Sequence, residues 1–295
     1  MTIRRGNSAF ERNPADAQTR LRVVLLRSDD PHQRWLEREL DRTLELVGVV
    51  VEPGAAQQAR LPRRRGVWWA RRYQVLRQRA CGRAAYRASY FDALAANQEL
   101  STPTVIVEWI NDARSNAAVT GWAPDVIVVC GTTIVADAII ASAPLAINVH
   151  AGWLPGYRGN HAIYFAYERG DFAHIGASLH IVSSELDGGD LFAVHRPTIY
   201  PHDHDEHLYC RSVHGAGLLL CELLCALERG TPLRCTPQAH RGETFRHRDR
   251  TPASELRLWL RRRLGAHRVP HLDKTNARAQ FRDGNEPPAG GAADA

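Results

Sequence analysis

"DVIVVCGTTIVADAIIASAPLAINVH" occupies residues 125–150. Two apolar runs, 125–131 and 145–150, flank a stretch whose spacing predicts a helix over 133–142. The runs are near-continuous rather than alternating, so both faces of each strand must be covered. That is the pattern of a parallel sheet between helices. Outward from this unit, "LRVVLL" (21–26), "LELVGVVVE" (44–52) and "TVIVEW" (104–109) read as three more such strands. Trp35, Leu36, Leu40 and Leu44 recur at helical spacing over 31–44. The expected class is therefore α/β with a mainly parallel sheet. Ligands of such sheets sit beyond the carboxyl ends of the strands, where Gly131 and His150 stand.

The remaining chain adds to this core. Residues 1–20 are polar and are expected to be a flexible N-terminus, with the core running over 21–200. A polar, Arg-rich link (54–66) and an aromatic helical pattern from Val67 to Ala96 make an insertion at about 54–100. After residue 160 a helix is expected, then an alternating strand pair, "IGASLHIV" (175–182) and "LFAVHRPTI" (191–199), joined by the long loop "SSELDGGD". Residues 201–265 read as a C-terminal helical extension, with a Leu- and Cys-rich helix over 204–228, an irregular strand pair in 230–250 and a basic helix at 254–264. The segment 266–295 ends in "GNEPPAGGAADA" and is expected to be disordered.

Composition bounds the function. A chain of 295 residues with 44% hydrophobic content can bury a real core. The net charge of +6 comes from scattered arginines, Lys274 being the only lysine, which is poor support for a nucleic-acid partner. The six cysteines form no CxxC pair and read as buried thiols of a reducing compartment. No apolar leader is visible, and Pro124, Asp125, Gly131, Asp137 and Pro144 break the apolar stretch 123–149, so neither a secretory signal nor a membrane span is expected there. The protein is expected to be cytoplasmic and free of membrane.

Asn148 and His150 lie two apart on a strand and so point to one side. An amide can donate to a developing oxyanion. A neutral imidazole can relay a proton near pH 7. Asp187, in "ELDGGD", can orient that imidazole. "AGWLPGYRG" (151–159) offers no nucleophile elbow before its closing Gly159. The trio thus suits attack by an external nucleophile on a carbonyl, through a tetrahedral intermediate.

"INVHAGWLPGYRG" followed by "GASLHIVSSELDGGDLF" resembles the folate-dependent formyltransferases, which include glycinamide ribonucleotide, methionyl-tRNA and sugar N-formyltransferases. The resemblance implies a Rossmann-like fold and 10-formyltetrahydrofolate as formyl donor, with no metal. It implies Asn148, His150 and Asp187 as catalytic residues, with His180 and Gly159 supporting them. It further implies a pterin held by two loops, through Thr132, Thr133, Ile134 and Val135, and through Val182, Ser184, Glu185 and Asp187. The partner expected is a small-molecule amine, such as an amino sugar nucleotide or an amino-acid-derived amine, with a homodimer allowed and no nucleic acid.

The chain departs from the family in two places. Ala151 and Gly152 replace a common Pro-Ser pair, which thins the loop and could reshape the acceptor entrance. The loop after the first core strand reads "RSDDPHQRW" and lacks the glycines that hold an acceptor phosphate; its two acids would repel one. The strand content after residue 200 is too low for the barrel of the tRNA-using members. Two rivals stand beside transfer: hydrolysis of the formyl donor, and a metal-dependent hydrolase using "HDHDEH" (202–207), whose Asp203 and Glu206 read more simply as a helix-capping arrangement. The Arg/Trp-rich insertion is expected to pack its aromatic face and solvate its arginines.

Overall fold

In chain order the strands are β1 (Ile3–Arg5), β2 (Ala9–Arg12), β3 (Arg22–Arg27), β4 (Glu45–Val51), β5 (Thr104–Ile106), β6 (Val126–Cys130), β7 (Leu145–His150), β8 (Tyr157–Gly159), β9 (Ala177–Ile181), β10 (Leu191–Arg196), β11 (Leu233–Arg234), β12 (Glu243–Phe245) and β13 (Thr275–Arg278). The helices are α1 (Pro31–Thr43), α2 (Gly54–Ala59), α3 (Val67–Ala80), α4 (Arg83–Asp92), α5 (Ala113–Trp122), α6 (Asp137–Ile140), α7 (Ala162–Arg169), α8 (Asp205–Glu228) and α9 (Pro252–Arg263). They come from a computed structural model that describes residues 3–5, 9–13, 19–60, 67–94 and 100–278.

Eight strands form one sheet in the order β13-β10-β9-β7-β6-β3-β4-β5. From β7 to β5 the pairs are parallel; β9, β10 and β13 run antiparallel along the other edge. Successive strand residues serve opposite faces. Val23, Leu25, Val126 and Val128 pack against α1 and α8, while Val24, Leu26, Ile127 and Val129 pack toward α5 and α6. This two-sided burial is the reason the core strands read as unbroken apolar runs. Helix α8 is long and apolar enough by composition to cross a membrane, but most of its apolar side chains lie in the core with those of α1 and the sheet.

The first core strand, β3, lies between β4 and β6, so the chain leaves it in one direction and returns on the other side. The carboxyl ends of β3 and β6 pair at Arg27 and Cys130. A crevice opens at such a reversal point, and the loops after β3, β6 and β7 all meet there.

Several expectations are corrected. The N-terminus contains β1 and β2, with Ile3 and Phe10 buried, and β2 pairs with β11. Thr275–Arg278 is not disordered but extends the sheet beside β10; the end of the tail, 279–295, lies outside the described residues. The link 54–66 opens with α2, and 61–66 lie outside the described residues. The two short strands in 230–250 do not pair with each other: β11 joins β2, and β12 runs parallel to β8. Helix α5 was not anticipated, because its sequence has little amphipathic contrast. In α3 the expectation fails at two positions: Trp69 is 62% exposed, and Arg77 is buried and paired with Glu255 at 3.2 Å, whereas Trp68 and Tyr73 are half-buried and Arg72 and Arg79 are exposed. Ion pairing, which no periodicity reveals, supplies the inward face. Of the cysteines, Cys81 is exposed and the others are buried or half-buried.

Candidate active site

The antiparallel register of β7 and β9 sets Asn148 opposite His180, and His150 opposite Ser178. Nδ1 of His180 lies 2.8 Å from the Ile181 carbonyl, which can only accept, so that nitrogen carries the hydrogen. Nε2 of His180 is then an acceptor and receives a hydrogen bond from the Asn148 amide nitrogen at 2.9 Å. The Asn148 orientation is fixed by this chain of bonds, and one N–H remains for a ligand.

His150 is buried. Its Nε2 donates to the Tyr157 carbonyl at 3.1 Å, so a proton taken up by the neutral ring goes to Nδ1, which lies 3.4 Å from Oδ1 of Asp187. Burial lowers the His150 pKa below 6.5, more than the neighbouring Asp187 charge raises it. Burial of Asp187 works against its charge, yet the neighbouring His150 ring and the Gly159 N–H (2.7 Å) hold it well below the usual carboxylate range. A neutral base beside a fixed anion can accept a proton and then part with it.

The local backbone explains why these groups meet. Asp187 has φ +50°, in the left-handed region. Its carbonyl and that of Gly189 accept from Gln238 at 2.8 and 2.7 Å. Arg158, also buried, donates to the Leu186 carbonyl (Nε 3.1 Å) and holds Glu185 at 2.9 Å. Gly159 has φ +79°, and a Cβ there would collide with the Phe245 carbonyl. A Cβ at Gly152 would come within 2.5 Å of His150 Nε2, so the thin loop after β7 makes room for the imidazole itself. Ser178 fastens that loop, donating to Gly152 and accepting from the Leu154 amide.

The loop after β6 is more committed than its sequence suggested. The Thr133 amide and hydroxyl are bonded to fully buried Glu52 at 2.8 and 2.9 Å, and the Ile134 carbonyl to Asn111 at 2.9 Å. Val135 is buried, whereas Ile134 is 70% exposed. Glu52 was missed, although an acid at the carboxyl end of an apolar strand is a visible signal.

All twelve residues singled out in the sequence line one cavity of about 470 Å³. This is within the ordinary range for small-ligand sites, roughly 300–1,000 Å³. Thr132–Val135 and Val182–Asp187 form part of its wall. Asp30, Gln74, Arg87, Asp205, Glu206 and Arg250 also line it, which the sequence did not reveal. Arg87 bridges Asp30 (3.2 Å) and Glu206 (2.6 Å), and Arg250 holds Asp205 at 2.7 Å. These residues come from four separated segments, so no local motif announces them.

The cluster at 202–207 is built otherwise than as a capping box. His204 caps α8, its Nδ1 accepting from the Glu206 amide at 3.2 Å. Asp203 pairs with His207 at 3.3 Å and with Arg211, and Glu206 pairs with Arg87. Among the described residues no three His, Cys, Asp or Glu side chains come together as a metal-sized group.

A family model described as formyl transferase matches residues 93–223, which span β5 to most of α8 and carry Asn148, His150, His180 and Asp187. Residues 93–223 belong to the formyltransferase family. A methionyl-tRNA formyltransferase of Koribacter versatilis is 35% identical over 155 residues, 52% of this chain and 48% of its own length. That of Corynebacterium aurimucosum is 27% identical over 242 residues, 80% of this chain and 65% of its own length. The chain thus spans between about half and two thirds of these curated relatives. Among solved structures, a Mycobacterium tuberculosis protein described as a candidate sugar N-formyltransferase superposes with TM-score 0.51 at 16% identity, covering 80% of this chain and 85% of its own. A 4-N formyltransferase from Francisella tularensis gives 0.50 at 13% identity, covering 86% and 97%. These likenesses establish the α/β formyltransferase fold. Gln238, Arg250 and β12 lie outside the matched segment, yet Gln238 holds the Asp187 loop, Arg250 lines the cavity and β12 pairs with β8.

Proposed function

We propose that the protein transfers a formyl group from 10-formyltetrahydrofolate to an amine of a small molecule, either an amino sugar nucleotide or an amino-acid-derived amine. The observation that carries this reading is the convergence of an oriented Asn148 amide, a buried neutral His150 and the Asp187 carboxylate on one cavity with two loops at its rim. A flat heterocycle suits those loops: Ile134 and Leu186 offer exposed apolar surface, and Val182 and Ser184 stand at the wall. The donor supplies an activated formyl carbon.

The acceptor nitrogen bonds to the formyl carbon, and the bond from that carbon to the folate nitrogen breaks. Asn148 donates to the carbonyl oxygen as negative charge grows there. His150 accepts a proton at Nδ1 from the attacking nitrogen, and Asp187 stabilises the imidazolium at 3.4 Å. The proton then leaves for the departing folate nitrogen, which restores the neutral ring.

The volume of the cavity, about 470 Å³, favours an amine acceptor over water, because hydrolysis needs no room beyond the formyl donor. The many acids there argue against RNA, whose phosphates would meet like charge. Incubation with 10-formyltetrahydrofolate and an amine panel, read by mass spectrometry, tests the proposal. A gain of one formyl group on an amine is expected; release of formate alone would replace transfer by hydrolysis.

A further inference from the structure

Helix α9 (Pro252–Arg263) is fastened to the molecule along one side. Leu258 is buried among the apolar residues of α7, and Ser254 accepts from the Tyr164 hydroxyl at 3.1 Å. Arg257 and Arg261 reach back to Glu168 on α7, to its carboxylate at 2.8 Å and its carbonyl at 2.7 Å. The opposite face carries Leu256, Trp259, Leu260 and Arg263, whose i, i+3, i+4, i+7 spacing makes them neighbours on the helix surface. Leu256, Trp259 and Leu260 are 56, 58 and 43% exposed, and Leu264 at the helix end is 78% exposed. A surface helix ordinarily turns its apolar stripe inward. Here a stripe of leucine and tryptophan stands outward, which marks a site of contact.

The charges beside the stripe say what it meets. Arg262, Arg263 and Arg268 are exposed, and among the described residues none of them pairs with a carboxylate. The one acid of α9, Glu255, is taken up by Arg77 and Arg250. Helix α3, tied to α9 by the Arg77–Glu255 pair, also exposes Trp69 and Leu76 together with Arg72 and Arg79. A second copy of this chain would set arginine against arginine across a self-complementary contact. A nucleic acid would answer the arginines and stack on Trp259, but it offers nothing to the leucines. A protein groove closing around the helix would have to displace its bonds to Glu168. A lipid surface with anionic headgroups answers both features, charge for the arginines and acyl chains for the leucines and the indole.

We infer that α9 is a peripheral docking face for an anionic lipid bilayer. The helix lies in the plane of the surface, with Leu256, Trp259, Leu260 and Leu264 below the headgroups and Arg262 and Arg263 among them. The sequence expectation of a chain free of membrane rested on the lack of a spanning segment, and a helix that lies on a surface needs none. The attachment is separate from the chemistry of the cavity, since none of these residues lines it.

The test is cosedimentation of the full chain with vesicles of phosphatidylcholine alone and of phosphatidylcholine mixed with phosphatidylserine. Binding to the mixed vesicles should be at least about tenfold tighter than to the neutral ones and should weaken as salt rises. Trp259→Ser combined with Leu260→Ser should lower the affinity for mixed vesicles by at least about tenfold. Arg262→Gln combined with Arg263→Gln should lower it by about five- to thirtyfold. Both pairs stand at exposed positions, so the urea unfolding midpoint should stay where it is. No binding to mixed vesicles, or equal binding to both kinds, overturns the inference. So does equal binding by the wild type and the Trp259/Leu260 variant, which would leave only a diffuse attraction of charge. A wild-type dimer in sedimentation velocity that this variant converts to monomer gives the face to a second copy and overturns it as well. A lowered unfolding midpoint in either variant would show the side chains packed rather than presented, with the same consequence.

Discussion

Removing the Asn148 side chain isolates the oxyanion contribution. Its amide nitrogen is held at 2.9 Å by His180, whose other nitrogen is tied to the Ile181 carbonyl, so the second N–H is aimed without rotational freedom. Loss of one such donor typically lowers turnover by about 10²–10³, which at 1.36 kcal/mol per decade is about 2.7–4 kcal/mol of transition-state stabilisation. The folding cost is smaller: one half-buried hydrogen bond is worth roughly 1 kcal/mol, so Asn148→Ala should stay folded. Because the lost bond forms fully only as charge develops, kcat should fall while folate affinity changes by less than about threefold. His150→Ala should cost a similar factor, and the double variant much less than the product of the two, since both act on one transition state. Single-turnover formyl transfer by mass spectrometry, with folate titration by fluorescence, measures all four proteins. Near-wild-type turnover in either folded single variant would falsify the assigned roles, and multiplicative losses in the double would show that the two residues act separately.

Gln238→Met removes both donors to the Asp187 loop; turnover should fall about 10- to 100-fold through misplacement, and the His150 pKa by NMR should drop, because its raising partner moves away. An unmoved titration with unchanged turnover refutes the clamp. Gly159→Ala places a side chain at φ +79° against the Phe245 carbonyl and should cost on the order of 3 kcal/mol in urea unfolding; a loss below about 1 kcal/mol contradicts the packing. Burial depresses the His32 pKa from 6.5 to about 4. The unfolded chain then binds the extra proton first, so stability is lost as pH falls from 6.5 toward 4, by at most about 3 kcal/mol. His32→Phe should flatten the stability profile over that window, and identical acid slopes in the two proteins would refute the assignment.

Much of the fold was legible because burial on two faces writes itself into composition. Strands β3, β4, β6 and β7 appeared within a residue or two of their places as unbroken apolar runs. Asn148 and His150 were legible because the two-residue period of a strand fixes their common side, and Asp187 because a loop longer than a turn requires stood opposite. One face of helix α3 was misread, and β1, β2 and β13 were missed, because their placement depends on distant partners: Glu255 for Arg77, β11 for β2, β10 for β13.

What the sequence by itself determined was the layered α/β core and the placing of Asn148 and His150 on one side of a strand end, since both follow from side chains close in the chain. Only the tertiary structure decided how those groups are held and what lies beside them. The β7–β9 register that makes His180 orient Asn148, the Gln238 and Arg158 bonds to the Asp187 loop, and the bridge of Arg87 to Asp30 and Glu206 all join segments far apart in sequence. The physical reason is one of range. Periodicity and turn chemistry act over a few residues, whereas hydrogen bonds and charge act over a few ångströms of space, and only folding brings those segments within reach of one another.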